Sequence, residues 1–162
     1  MTREDFLSYL KSAHGRTERV IGAIPTADFD WAPGPGRFSF ADQIRHLATI
    51  ERYMYGETVQ GKQSAYPGHG RELADGPAAV LEYYRRLHEE SVKIFESIPS
   101  GAYTEKTLTP AGTPITLWKW LRAMLEHEAH HRGQIYMMLG LRGVKTPPLY
   151  GLTSEEVKER SR

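Results

Sequence analysis

Apolar side chains recur every three or four residues in four separate stretches of the chain, a spacing that predicts amphipathic α-helices. Thr2 and Ser39 each precede an aspartate by three residues, as in the capping box that opens a helix. Pro25 ends the first stretch, and Pro77 stands at a favoured first position of the third. The predicted helices cover approximately residues 2–25, 39–59, 77–98 and 117–139. Four such helices joined by two longer connections predict an all-α four-helix bundle.

The connections between these helices differ in composition. Residues 61–76 are polar and rich in glycine, which predicts a long loop. Residues 104–116 are rich in threonine and predict either a short hairpin or an extended connector. After two prolines, Thr153 and Glu156 form a last capping box, which predicts a short C-terminal helix. With 162 residues and no internal repeat, residues 1–162 are expected to form a single domain.

Composition and charge exclude several classes of function. The chain has no cysteine, so it has no disulfide, no thiolate metal ligand and no cysteine nucleophile. Any thiol chemistry would therefore need a thiol supplied by a substrate. A net charge of +1 gives no electrostatic case for binding nucleic acid. No apolar run approaches the ~20 residues needed to cross a bilayer, so a cytoplasmic protein without membrane contact is expected.

Three of the seven histidines lie in one five-residue segment, 127–131, inside the fourth predicted helix. Because successive helical residues turn by about 100°, His127 and His131 lie about 40° apart on one face, while His130 turns toward the rim. An i, i+4 pair of imidazoles is a common way for a helix to offer two nitrogen ligands to one metal ion. The same face carries apolar residues: Trp120, Met124, Ile135 and Met138.

Two inward imidazoles need partners, because an unsatisfied buried polar group costs about 1–3 kcal/mol. Either a hydrogen-bond network or a metal ion would supply them. A third ligand would have to come from another helix, and His46, at the border of the apolar arc of the second helix, is the best candidate. His14 and His88 lack a companion at helical spacing, and His69 lies in the glycine-rich loop, so these three are predicted to be solvated.

Two carboxylates also fall within the inward arcs of their helices. Glu51 and Glu128 would form an ion pair with an inward arginine such as Arg132, or tilt to solvent, or else assist the site. In the second case they would orient an imidazole or act as a general base, and they are the only catalytic candidates. A ferritin-like di-iron site needs two Glu-x-x-His motifs and two further glutamates, whereas Glu128 and His131 supply one clear motif.

Two motifs together resemble those of a known family. The segment 46–52, HLATIER, and the segment 127–135, HEAHHRGQI, are similar to the two histidine motifs of the DinB family of DinB/YfiT-like metalloenzymes. The resemblance implies an up-down-down-up bundle that holds a divalent metal ion, zinc or nickel, through three histidines. Those ligands correspond to His46, His127 and His131 in this sequence. It also implies pairing into a homodimer.

The resemblance leaves the reaction open. Relatives include transferases and isomerases that use low-molecular-weight thiols, and some members resemble amidohydrolases. Three protein nitrogens leave a fourth coordination position open, which is typical of catalytic sites and not of closed structural ones. The expectation is a metal-dependent transferase or hydrolase acting on a small molecule, with a low-molecular-weight thiol as one cosubstrate it would accept. The alternative is a non-catalytic, stress-associated dimeric bundle that binds a metal or a small ligand.

Overall fold

The predicted helices form one bundle in the structure, a computed structural model that describes residues 1–161. Thr2 with Asp5 and Ser39 with Asp42 form the predicted capping boxes. Among residues 1–161, no helix has both the length and the apolar character that spanning a membrane requires. The elements are the helices α1 (Arg3–Ile21), α2 (Phe40–Thr49), α3 (Gly56–Thr58), α4 (Pro77–Ser97), α5 (Leu117–Leu141) and α6 (Ser154–Arg160), and the strands β1 (Lys106–Leu108) and β2 (Pro114–Thr116).

The four long helices run up, down, down and up. Helix α1 is antiparallel to α4. The second long helix, which begins with α2 and ends with α3, is parallel to α4 and antiparallel to α5. Two contacts establish each direction. Phe6 with Phe95 and Glu18 with Arg85 join α1 to α4, and Arg52 with Glu90 and Gly56 with Ile94 join the second long helix to α4. Gln43 with Gln134 and Tyr55 with Trp120 join the second long helix to α5. The expected all-α four-helix bundle is therefore confirmed.

The second helix is continuous, but its winding changes along its length. Helix α2 passes into a π-helical turn over Ile50–Tyr55, and α3 then completes the helix just before Val59. Apolar periodicity predicts the extent of this helix but not the π turn, which alters the winding within an otherwise helical pattern. Such turns often occur beside functional sites, and this one begins four residues after His46.

The threonine-rich connection before α5 forms an antiparallel hairpin. Its strands pair Lys106 with Thr116 and Leu108 with Pro114. Gly112 lies between them with a φ of +75°, a conformation that favours glycine over residues with a Cβ atom. Of the two alternatives for this segment, the structure has the hairpin, whose second strand leads directly into α5.

Two apolar clusters fill the bundle, and polar side chains lie between them on α5. Leu125 belongs to one cluster and Ile135 to the other. The buried residues Glu128, His131 and Arg132 lie between these two positions in the chain. Buried polar groups need hydrogen-bond partners. The partners of the side chains in this polar layer therefore show which of them are already satisfied and which could bind an ion.

Candidate metal centre

Three imidazoles from two helices meet in the polar layer. His46 comes from α2, and His127 and His131 lie one turn apart on α5. One nitrogen of each ring lies within 4.8 Å of the other two, and the Nε2 atoms of His46 and His127 are 3.1 Å apart. Two nitrogens bound to one tetrahedral zinc ion at about 2.0–2.1 Å would be separated by roughly 3.4 Å. The nitrogens of His46 and His127 are thus close to the separation that one bound ion requires, and that of His131 lies near them.

A glutamine chain fixes the orientation of His131. The Nδ1 atom of His131 lies 2.5 Å from the Gln43 amide oxygen, which can only accept, so Nδ1 carries the proton. The lone pair of His131 is therefore on Nε2. The Gln43 amide donates to the side-chain oxygen of Gln134 at 2.8 Å, and the Gln134 amide contacts Nε2 of the exposed His130 at 2.9 Å. His130 thus lies at the rim, as its position on the helix predicts.

We expect Gln43→Leu to weaken metal binding by about 10–100-fold, because partners that orient a ligating histidine typically contribute that much. Zinc affinity measured by competition with a chelator tests this expectation. The exposed Gln63 is the matched control, since its amide forms no hydrogen bond with the three imidazoles and Gln63→Leu should leave the affinity unchanged. Equal affinities for the two variants would contradict an orienting role for Gln43.

The loop between α3 and α4 covers the outer side of His46. The Tyr66 hydroxyl lies 2.8 Å from Nδ1 of His46 and 3.3 Å from Nδ1 of His69. The ring of His69 packs against Phe38, with their centroids 4.0 Å apart. The prediction that His69 is solvated is wrong, because the folded loop packs it between these side chains. The contact of Tyr66 with His46 could not be predicted from the spacing of residues in the sequence, because the two lie 20 positions apart.

Hydrogen bonds from α2 hold this loop in place. The guanidinium of the buried Arg45 donates to the carbonyl oxygens of His69 at 2.8 Å and Ala74 at 2.9 Å. The hydroxyl of Thr49 lies 2.9 Å from the carbonyl oxygen of Gly68. Arg45 is next to His46 in the chain and Thr49 follows it by three residues, so one short stretch of helix carries both a candidate ligand and the anchors of the loop over it.

All three imidazoles are neutral at pH 7. Burial, reinforced by the neighbouring imidazoles, lowers the pKa of His46 and of His127 to about 4 and that of His131 to about 3. A neutral imidazole offers the lone pair that a metal ion requires. Within residues 1–161, no cysteine, aspartate or glutamate completes this group, so its donor set is three nitrogens, which suits a divalent ion such as zinc or nickel.

These lowered pKa values predict that a bound metal ion survives mild acid. Protons compete with the ion only when the pH approaches the ligand pKa, and here that is about 4 and below, not near the ordinary 6.5. Zinc content after dialysis should therefore be equal at pH 7 and pH 5 and should fall below about pH 4. Circular dichroism at each pH verifies that the bundle is folded. Zinc loss between pH 7 and pH 5.5 from folded protein would contradict the prediction.

The two candidate carboxylates have partners other than the three imidazoles. Glu128 accepts a hydrogen bond from the hydroxyl of Thr17 and lies 3.8 Å from the guanidinium of Arg132. Glu51 lies 2.9 Å from Nδ1 of His88. Among residues 1–161, no hydrogen bond joins either carboxylate to a histidine of the cluster, whereas the predicted pairing of an inward glutamate with Arg132 is present. A catalytic role for Glu51 or Glu128 stays a prediction.

His14 and His88 form a second histidine pair that is half-buried, so the prediction that they are solvated is wrong. Their rings stack in parallel with centroids 3.4 Å apart, and Nδ1 of His14 lies 3.1 Å from the Tyr84 hydroxyl. Burial lowers the pKa of His88, but the hydrogen bond to Glu51 and the negative charges of Glu51, Glu128 and Glu18 together outweigh this effect and raise the pKa overall. Lone pairs in two parallel ring planes do not converge on one point, so this pair does not form a second set of metal ligands.

Comparison with known proteins identifies the family. The model of the DinB superfamily matches residues 9–135. The chain belongs to the DinB superfamily. The predicted resemblance to the DinB family is thereby confirmed, and the matched region contains His46, His127 and His131. No curated protein matches the chain.

Two solved structures of DinB-like proteins have a similar fold. One, from Bacillus cereus ATCC 10987, is 19% identical with a TM-score of 0.73, and the match covers 92% of this chain and 98% of that protein. The other, YjoA from Bacillus subtilis, is 18% identical with a TM-score of 0.73, and the match covers 90% of this chain and 97% of that protein. At this level of identity the comparison supports the fold of the bundle.

Proposed function

We propose that the chain is a divalent-metal-dependent enzyme that acts on a small molecule, as a thiol-dependent transferase or a hydrolase. The observation that carries this proposal is the convergence of three neutral imidazole nitrogens, from His46, His127 and His131, inside a DinB-superfamily bundle. A site with three protein donors and a free coordination position is the arrangement that catalytic zinc proteins use. Pairing of two copies into a homodimer is part of the proposal.

The protein's own residues prepare this site for one ion. Gln43 holds His131 with its Nε2 lone pair free, and the Tyr66 hydroxyl contacts the other nitrogen of His46. Burial keeps the imidazoles in their neutral form, which has one ring nitrogen with a lone pair for an ion. A divalent ion, zinc or nickel in the proposal, would supply Lewis acidity and lower the pKa of a water molecule or a thiol. Because the chain has no cysteine, such a thiol would come from a low-molecular-weight cosubstrate.

The first test is the metal content of the protein purified without added metal. The proposal predicts about one divalent ion per chain, and a chain free of metal that also fails to take up zinc or nickel would refute it.

The second test is turnover by the metal-loaded protein on a panel of electrophilic thiol acceptors, amides and esters, with and without glutathione, bacillithiol or mycothiol. Bound metal without metal-dependent turnover on the panel would favour the non-catalytic binding alternative.

A further inference from the structure

A groove opens beside the metal centre, between the segment that precedes α2 and the second half of α5. Its volume is about 530 Å³, within the range of roughly 300–1,000 Å³ that is typical of small-molecule sites. His131 and Gln43 are among the residues that line it. A molecule in this groove therefore lies against one candidate metal ligand and against the side chain that orients it.

Apolar side chains form part of the groove wall. Phe38, Met137 and Met138 line it, and the side chain of Met137 is 60% exposed. A single exposed methionine is ordinary, but here it lies on the same groove as a half-buried aromatic ring that also contacts His46, with centroids 5.5 Å apart. Flexible thioethers adapt to ligands of different shape. This surface suits the hydrocarbon part of a small molecule.

One charged group lines the groove, and it is a cation. The guanidinium of Arg37 forms no ion pair or side-chain hydrogen bond with any residue in the range 1–161, and no carboxylate lines the groove. Other arginines near α2 and the end of α5 are paired: Arg45 with Asp42 and Arg142 with Asp28. The groove therefore has an uncompensated positive charge, which favours an anion.

The backbone places Arg37 at this position. Gly36 has a φ of +69°, which favours glycine, and the amide of Arg37 donates to the carbonyl oxygen of Gly34 at 3.2 Å in the same turn. Two residues later, Ser39 caps α2. The turn and the cap hold the main chain of Arg37 from both sides, so the guanidinium extends from an ordered position.

We propose that this groove binds small carboxylates with an apolar body, and that Arg37 is the residue that selects for the negative charge. A guanidinium binds a carboxylate through two parallel hydrogen bonds, while the hydrocarbon part contacts Phe38 and Met137. A single cation matches a carboxylate better than a dianionic phosphate ester. The assignment of this ligand class as the substrate rests on the proposed function, but binding in the groove itself needs no metal ion.

Methyl NMR of the metal-free protein tests the proposal directly. The chain has five methionines, of which Met137 and Met138 line the groove, while Met124 lies in the other apolar cluster and reports on folding. We expect hexanoate to shift the Met137 and Met138 signals saturably and to bind at least about tenfold more tightly than 1-hexanol, which lacks the charge. Hexyl phosphate is expected to bind no more tightly than hexanoate.

The variant Arg37→Gln should reduce the affinity for hexanoate to that for 1-hexanol, and Arg37→Lys should retain part of it. Arg86→Gln, which removes an exposed arginine on α4, is the matched control and should leave binding unchanged. Absence of saturable shifts, equal binding of hexanoate and hexanol, or wild-type affinity in Arg37→Gln would overturn the proposal, and tighter binding of hexyl phosphate would overturn the carboxylate class. Because these titrations contain no metal, their outcome is independent of whether the protein holds an ion.

Discussion

The variant His127→Ala is expected to lose stoichiometric binding of a divalent ion, whereas His130→Ala is expected to keep it. His127 presents Nε2 within 3.1 Å of Nε2 of His46, so its removal leaves two donors where three converge. His130 lies on the same helix only three residues away, but it is exposed and contacts Gln134. The pair of variants therefore separates a ligand from a neighbouring histidine of the same chemical type.

In His127→Ala the affinity for the divalent ion should fall by more than about 100-fold. That is the largest loss expected when the removed residue only orients a ligand. His46→Ala and His131→Ala should behave in the same way. Metal content by mass spectrometry and affinity by chelator competition measure the effect, and circular dichroism verifies folding. If His127→Ala keeps wild-type affinity, or if His130→Ala loses the ion as well, the assignment of the three ligands is wrong.

At pH 8, above the pKa of Glu128, the variant Arg132→Leu is expected to lower the free energy of unfolding by about 3–5 kcal/mol, since it removes one partner of a buried charged pair. The guanidinium of Arg132 lies 3.1 Å from the Thr17 hydroxyl and 3.8 Å from the Glu128 carboxylate, and Arg132 is only 5% exposed. Arg122→Leu is the matched control on the same helix. Arg122 pairs with Glu126 at the surface, where such a pair contributes about 0–1 kcal/mol.

The loss in Arg132→Leu should also grow as the pH rises. Burial raises the pKa of Glu128 from 4.5 to about 7, so between these values the folded chain holds a proton that the unfolded chain has released. This group therefore stabilises the fold less as the pH increases. Without Arg132 the pKa of Glu128 rises further, and the deficit should be larger at pH 8 than at pH 5. Urea unfolding at both pH values tests this, and a loss no larger than in Arg122→Leu would contradict the role of the buried pair.

Features that depend on position within one helix could be predicted from the sequence. The shared face of His127 and His131 and the outward position of His130 follow from the turn of about 100° per residue, whatever the helix packs against. The pairing of Glu128 with Arg132 has the same origin, because four residues bring two side chains one turn apart. Capping boxes belong to this group too, since their partners are three residues apart.

Features that join different helices or a loop to a helix could not be predicted in this way. The stack of His14 on His88 depends on the register of α1 against α4, which helical spacing within either helix does not contain. The contact of Tyr66 with His46 depends on the path of a long loop. Gln43 is an intermediate case: it precedes His46 by three residues and so shares its face, a signal that would have marked it as a residue of the site.

The anchoring of the loop over His46 has a consequence for the kinetics of metal exchange. Arg45 and Thr49 bind three carbonyl oxygens of the loop, so an ion at His46 could not leave on that side until these hydrogen bonds break. Exit on the other side leads through the groove that a bound carboxylate would fill. An ion acquired during folding would then exchange slowly. The metal that a mature molecule carries would reflect the ions present when the chain folded, as well as the relative affinities of the finished site.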